Sequence, residues 1–412
     1  MSGTRKLTPS LFGGLLFGLF LAVLAFSQAA ASIGLAINGF RPLGGSFFSW
    51  RAGQTRAAVA LVAKGSRVNS DVAARLGRTV LIHAPLSARS LWLVGKSMEV
   101  KGQTDRARRV MLQAERISRR DSAVQLWLGA DRLQRGDIAP GLRHFDLMIR
   151  VGGEAAEAAI PRMAMIIMAP EGRRHLAPYI RDDNPWLLPL LQTAVEKLPR
   201  AAPIAQLLID RGKQAPDIPD IRQVYAPLMA RLVDEGAYAQ ALRLYPLLPG
   251  AHGASLRNVS GMVEGQLDDG YPPFIWRFPE GNDQGAEFVS VDKGETGLDI
   301  FGAPGTVGIA ATKLVALRPG DALYWRVADR SGNLDGSATW VATCLIGEGA
   351  KKIVKSENML GSGVAANRPL KLALPADCDV ARLDIRVAGG IGRDPASLVI
   401  AGLKLAPGSK AP

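Results

Sequence analysis

The chain holds two cysteines, Cys344 and Cys378, in a C-terminal stretch without histidine, since none follows His252. With no imidazole nearby to activate a thiolate, the pair reads as one disulfide in a chain that meets an oxidising compartment. Two cysteines are too few for a four-cysteine zinc site, and four scattered histidines do not build a metal centre. The adjacent acids Asp182-Asp183 and Asp268-Asp269 point apart and lie in linker-like text, so no acid/base pair is read from them. Residues 345–352 lack the G-x-x-x-x-G-K-[ST] spacing of a phosphate loop, 389–392 is no dinucleotide fingerprint, and G-x-S-x-G and H-E-x-x-H are absent. No catalytic residue, metal ligand or cofactor site is expected. Aromatic candidates remain: Trp276, Trp325 and Trp340, with Phe274 and Tyr324, could stack a sugar ring or simply fill a small core.

Basic side chains are the other candidates. The 412 residues carry a formal charge of +13. Residues 1–270 contain 34 basic and 22 acidic side chains, whereas 271–412 contain 16 and 15, so the front of the chain carries the charge. Arg106, Arg108, Arg109, Arg116, Arg119 and Arg120 cluster within one stretch, suited either to solvent or to anionic lipid headgroups or an acidic polysaccharide. Nucleic acid is not expected, because the chain reads as exported.

Export is inferred from the N-terminus. Arg5 and Lys6 precede an apolar run over 11–26, extended by alanines past Ser27 and Gln28. The expectation is a transmembrane anchor over 10–35, with a cytoplasmic tail at 1–9 and the bulk of the chain periplasmic, as in a single-pass bacterial inner-membrane protein. Cleavage after Ala29-Ala30-Ala31 as a signal peptide is the competing reading.

The candidates must be positioned by two kinds of element. After a linker at 36–53, residues 54–255 are rich in Ala, Leu, Arg and Glu with helical apolar spacing. A 34-residue offset aligns Gly95 with Gly129, Gly102 with Gly136, Val94 with Leu128 and Met111 with Phe145. A partial copy places Gly236, Ala241 and Tyr245 where Gly102, Ala107 and Met111 stand, with Ala114 a further small residue in the second helix. This pattern resembles the tetratricopeptide family, with a Gly inside a first helix, a Gly at the turn, and small and large residues on a second helix. Gly141, Pro140 and Met229 depart from it, and the proline-rich 155–220 shows no clear copy. The resemblance implies an α-solenoid whose groove holds partner proteins.

Past a linker at 256–270 the texture becomes short β-like runs, at 274–278, 286–291, 297–301, 322–328, 339–346, 370–374, 381–387 and 398–405, separated by turn residues. Residues 271–407, before a tail at 408–412, are expected to form an antiparallel β-sandwich. The arrangement resembles jelly-roll modules of the carbohydrate-binding type. The expected protein is thus multidomain, helices then β-sheet. Its expected role is that of a non-enzymatic, membrane-anchored envelope scaffold, in polysaccharide assembly or export, with protein partners and a polysaccharide. The alternative is a glycan-binding protein acting through the sandwich.

Overall fold

A computed structural model describes residues 9–37, 67–152, 154–279, 281, 283–291, 294–345 and 352–408. The expected tails at 1–8 and 409–412 and most of the expected linker at 36–53 lie outside the described residues. The chain falls into two compact units, Met1–Met163 and Ala164–Pro412. The division falls inside the stretch expected as one helical array, so the later helices belong with the β-sheets.

The N-terminal segment forms a helix, α1 (Pro9–Ile37). Among the described residues, however, no helix is long and apolar enough to cross a membrane. The expected transmembrane helix, and the single-pass inner-membrane location drawn from it, are corrected by this finding. The physical reason lies in the run itself: Ser27 and Gln28 end it after 16 residues, and mostly alanine follows, whereas a span takes roughly 20 strongly apolar residues.

The rest of the first unit is α2 (Arg67–His83), α3 (Ala88–Val100), α4 (Thr104–Ile117), α5 (Ser122–Gln134), α6 (Ile138–Val151) and the start of α7 (Glu154–Ile166). The bounds of α3 and α4 reappear 34 residues later as α5 and α6. Within each pair the helices touch where a glycine meets a large side chain. A Cβ on Gly95 would lie 3.0 Å from Met111 Cε, and one on Gly129 would lie 3.1 Å from Phe145 Cε1. Gly102 and Gly136 occupy the turns at φ of 76° and 81°, which glycine adopts without steric cost. Ala107, Met111, Ala114 and Phe145 are fully buried, and Gly141 packs its bare Cα against Leu133 and the Gly129 carbonyl.

The second unit continues with α8 (Pro170–Leu176), α9 (Leu187–Lys197), α10 (Ala202–Ile209), α11 (Arg222–Asp234) and α12 (Tyr238–Leu244). The α11–α12 pair has the bounds expected of a further copy: Gly236 turns at φ 71°, and Ala241 and Tyr245 are buried, while Met229 fills the place of the first glycine. Prolines set the short lengths of α8 and α10, each starting one at its first or second position.

After a two-stranded hairpin, β1 (Met262–Val263) and β2 (Gln266–Leu267), come two antiparallel sheets. The five-stranded sheet orders β3 (Gln284–Val291), β4 (Glu295–Gly302), β11 (Ala396–Pro407), β6 (Asp321–Gly332) and β9 (Pro369–Ala373) as β3-β4-β11-β6-β9. The four-stranded sheet orders β5 (Val307–Ala316), β10 (Val380–Ala388), β7 (Ser337–Cys344) and β8 (Ile353–Lys355) as β5-β10-β7-β8. Period-two alternation drives their inner faces together: Leu298, Ile300, Leu323, Val327, Leu383 and Ile385 share one core. The 274–278 run is not a regular strand. It lies along the free edge of β5, where Arg277 and Thr312 exchange backbone hydrogen bonds of 2.9 Å.

Segment 256–270 does more than link. Arg257 makes a bidentate pair with buried Asp321 at 2.8 and 3.1 Å, and the Val259 carbonyl accepts from Trp276 Nε1. Tyr245 meets Phe274 edge-on at 5.1 Å, and Tyr271 donates to the Pro249 carbonyl. Against this junction Lys313, on the core-facing side of β5, is 1% exposed and donates to the Phe274 carbonyl.

Cys344 and Cys378 form the expected disulfide, closing β7 onto the turn before β10. A closed loop of 34 residues restricts the unfolded chain by roughly 3–4 kcal/mol. Reduction should therefore lower the unfolding free energy of the Ala164–Pro412 unit by about that amount, measured by urea titration with and without reductant. An unchanged midpoint would contradict the assignment.

Burial lowers the Lys313 amine to about 8, and the charge of Asp268 only partly restores it. The unfolded value is near 10.5, so below pH 8 the full cost of burying the ammonium is present, and it is relieved as pH rises from 8 to 10.5. Relative to Lys313→Met, the wild type should gain on the order of 3 kcal/mol of stability across that window in denaturant titrations. A flat difference would contradict a buried ammonium.

Candidate functional site

The first unit carries a groove of about 350 Å³ on the faces of α3 and α5. From α3 come Trp92, Lys96 and Glu99, and from α5 come Leu126, Trp127, Ala130, Asp131 and Gln134; Thr104 and Arg162 complete the rim. The spacing is helical on both sides, so one stripe of each helix faces the groove. Because the 34-residue period sets α3 and α5 in the same register, these stripes lie next to one another.

Local chemistry fixes the walls. Ser87 caps α3, and Asp121 caps α5 by accepting from the Ala123 and Val124 amides. Asp121 also accepts from Arg89 Nε at 2.9 Å, and that guanidinium lies 5.6 Å from the Trp92 ring centre. Lys96 and Glu99 pair with each other at the rim. Asp131, 6% exposed, takes a bidentate contact from Arg108 at 2.8 and 2.9 Å and another from Arg135 at 3.0 Å. Burial works to raise its carboxyl, but hydrogen bonds and charge from Arg108, with Arg135, outweigh it and hold Asp131 below the usual carboxylate range. The result is a floor of indole and aliphatic surface with a rim of fixed, opposite charges.

His144 lies half-buried behind this floor. Its Nδ1 is 2.7 Å from Gln125 Oε1 and 3.5 Å from Glu115, and burial lowers its pKa against the pull of Glu115. It therefore joins α4, α5 and α6 rather than standing on the surface. Among the described residues no group of three or more His, Cys, Asp or Glu could hold a metal ion.

The tryptophans singled out for stacking are elsewhere. Trp276, Trp325 and Trp340 are 7%, 3% and 0% exposed, packed on one another at 5.9 and 6.1 Å within the sandwich core. As a sugar platform they are corrected, because the alternation that aligned them on one face aligned them inward. The sandwich instead opens a pocket of about 470 Å³ on the outer face of the four-stranded sheet, against α11 and α12. Asp234, Tyr238, Arg277, Thr312, Arg382 and Asp384 line it. Asp384 is fully buried, accepting from Thr312 Oγ1 at 2.7 Å and Arg382 Nε at 3.0 Å. The repeat-packing residues Gly95, Gly102, Ala107, Met111, Ala114, Gly129, Gly136, Phe145, Gly236, Ala241 and Tyr245 lie at helix-pair joints and turns, outside both concavities. Reading the sequence missed Trp92, Lys96 and Glu99 as a set, although their 92, 96, 99 spacing carried the signal.

No family model matches this chain, and no curated protein matches it. A solved carbohydrate-binding module, TmCBM61 in complex with β-1,4-galactotriose, is similar at 12% identity, over 32% of this chain and 88% of that chain. The TM-score is 0.22, too low to carry its ligand across.

Asp131→Asn should strand Arg108 and Arg135 and lower the stability of the first unit by about 2 kcal/mol. Asp105→Asn, at an 83% exposed partner of the same arginine, should cost about 0.5 kcal/mol or less. Urea titrations of the two variants check the contrast, and equal losses would contradict it.

Proposed function

We propose that this protein is a non-enzymatic scaffold whose first unit, built of tetratricopeptide-type helix pairs, binds an extended segment of a partner protein in the α3–α5 groove. The observation that carries the reading is the groove itself. Trp92, Leu126 and Trp127 supply apolar contact, and Lys96, Glu99, Gln134 and Arg162 surround it with both charges and an amide. An apolar floor with a few polar groups at the edge suits a peptide, whose side chains need burial and whose backbone needs hydrogen-bond partners. The charges serve recognition rather than proton transfer, since Lys96 and Glu99 already neutralise each other.

A second reading, glycan binding by the sandwich, is favoured by the outer-face pocket. Tyr238 offers a ring, and Arg277, Arg382 and Asp384 offer donors and acceptors of both kinds for sugar hydroxyls.

Crosslinking the full chain in cells, followed by mass spectrometry, tests the first reading. A reproducible partner should crosslink near 92–134 and be lost in Trp92→Ala/Lys96→Glu. The same partner retained by that variant would contradict it. Loss of glycan-array binding in Tyr238→Ala/Arg277→Ala would instead favour the second.

A further inference from the structure

Residues 67–163 carry 17 basic and 10 acidic side chains. The acids are not shared evenly among the arginines. Asp71 pairs with Lys101, Glu99 with Lys96, Asp105 with Arg108, Asp121 with Arg89, Asp131 with Arg108 and Arg135, Asp137 with Arg132, and Asp146 with Arg150. Arg108, counted within the sequence cluster, is thus neutralised.

The surplus collects in one place. Arg75 in α2, Arg109 in α4 and Arg143 in α6 are successive at intervals of 34 residues, and all three are exposed. None lies within ion-pair distance of an acid among the described residues. Since α4 and α6 have bounds related by the same interval, the three guanidiniums stand at one level of successive second helices. Arg78, Arg106 and Arg116, also exposed, flank the row. The groove is lined mainly by the first helices of the pairs, so the row is a separate surface.

We propose that this arginine row binds a linear acidic polysaccharide carrying carboxylates along its length. A guanidinium fork matches a carboxylate bidentately, and a row repeated at the interval of the fold matches a polymer better than a single anion. Two observations favour a polysaccharide over nucleic acid. The flank of the row has no exposed aromatic side chain among the described residues on which a base could stack. The chain also holds a disulfide, a bond of oxidising compartments rather than of the cytosol. The proposal does not rest on the groove reading.

The test measures binding of the full chain to immobilised alginate, with circular dichroism to confirm folding of each variant. Wild type should bind at low salt and weaken as salt rises from about 50 to 200 mM. Arg75→Glu/Arg109→Glu/Arg143→Glu should lose about tenfold or more in affinity. Arg318→Glu/Lys355→Glu/Arg393→Glu, the same charge change on exposed residues of the sandwich, should lose far less, and Tyr238→Ala/Arg277→Ala should bind as wild type does. If the glutamate triple is misfolded, the corresponding glutamine triple reads the same effect. No wild-type binding, equal loss in the two charge triples, or tighter binding to duplex DNA or anionic vesicles than to alginate would overturn the proposal.

Discussion

The helix pairs of the first unit close because Gly95 and Gly129 present no side chain to Met111 and Phe145. Two helices come this near only where one offers bare backbone, and the large partner then fills the space without a void. That approach fixes the register of α3 against α4 and of α5 against α6. The common register sets Trp92, Lys96 and Glu99 beside Ala123, Trp127 and Gln134 to form the groove. It also brings Arg75, Arg109 and Arg143 to one level on the other helices. Both candidate surfaces are consequences of one packing rule applied twice.

The second unit solves a different problem. Its short, proline-started helices cannot bury enough surface among themselves, and they are held to the sandwich by the Tyr245, Tyr271 and Phe274 rings and by the Arg257–Asp321 pair. Lys313 is the costly element there: its stem packs among core residues while its ammonium reaches a single backbone carbonyl. The arrangement leaves the outer face of β5 and β10 beside α11 and α12, which is how a pocket arises on a sheet whose tryptophans all point inward.

Much of this was legible in the residues. The 34-residue offset located the joints at Gly95, Gly129 and Gly236, and the turn to alternating strands located the sandwich and its disulfide. Three features were not. The apolar content at 11–26 suggested a span, but length and interruption outweigh it. Trp276, Trp325 and Trp340 looked available because alternation reveals a shared face without saying which way it looks. Strand β5 was hidden because Lys313 interrupts its inward positions, and only the fold supplies the Phe274 carbonyl that admits it. The charge row was half visible: the arginines were counted, but their acid partners are distant in sequence, so which stay unpaired required the structure.

The central claim is that glycine and large residue are matched across each helix joint. A double-mutant cycle on Gly129→Ala and Phe145→Leu, read by urea titration, addresses it directly. The added methyl would meet Phe145 at 3.1 Å, so it should destabilise the wild type but be relieved when the ring is absent. The account predicts a favourable coupling of about 1 kcal/mol, whereas additivity within about 0.3–0.5 kcal/mol would contradict it.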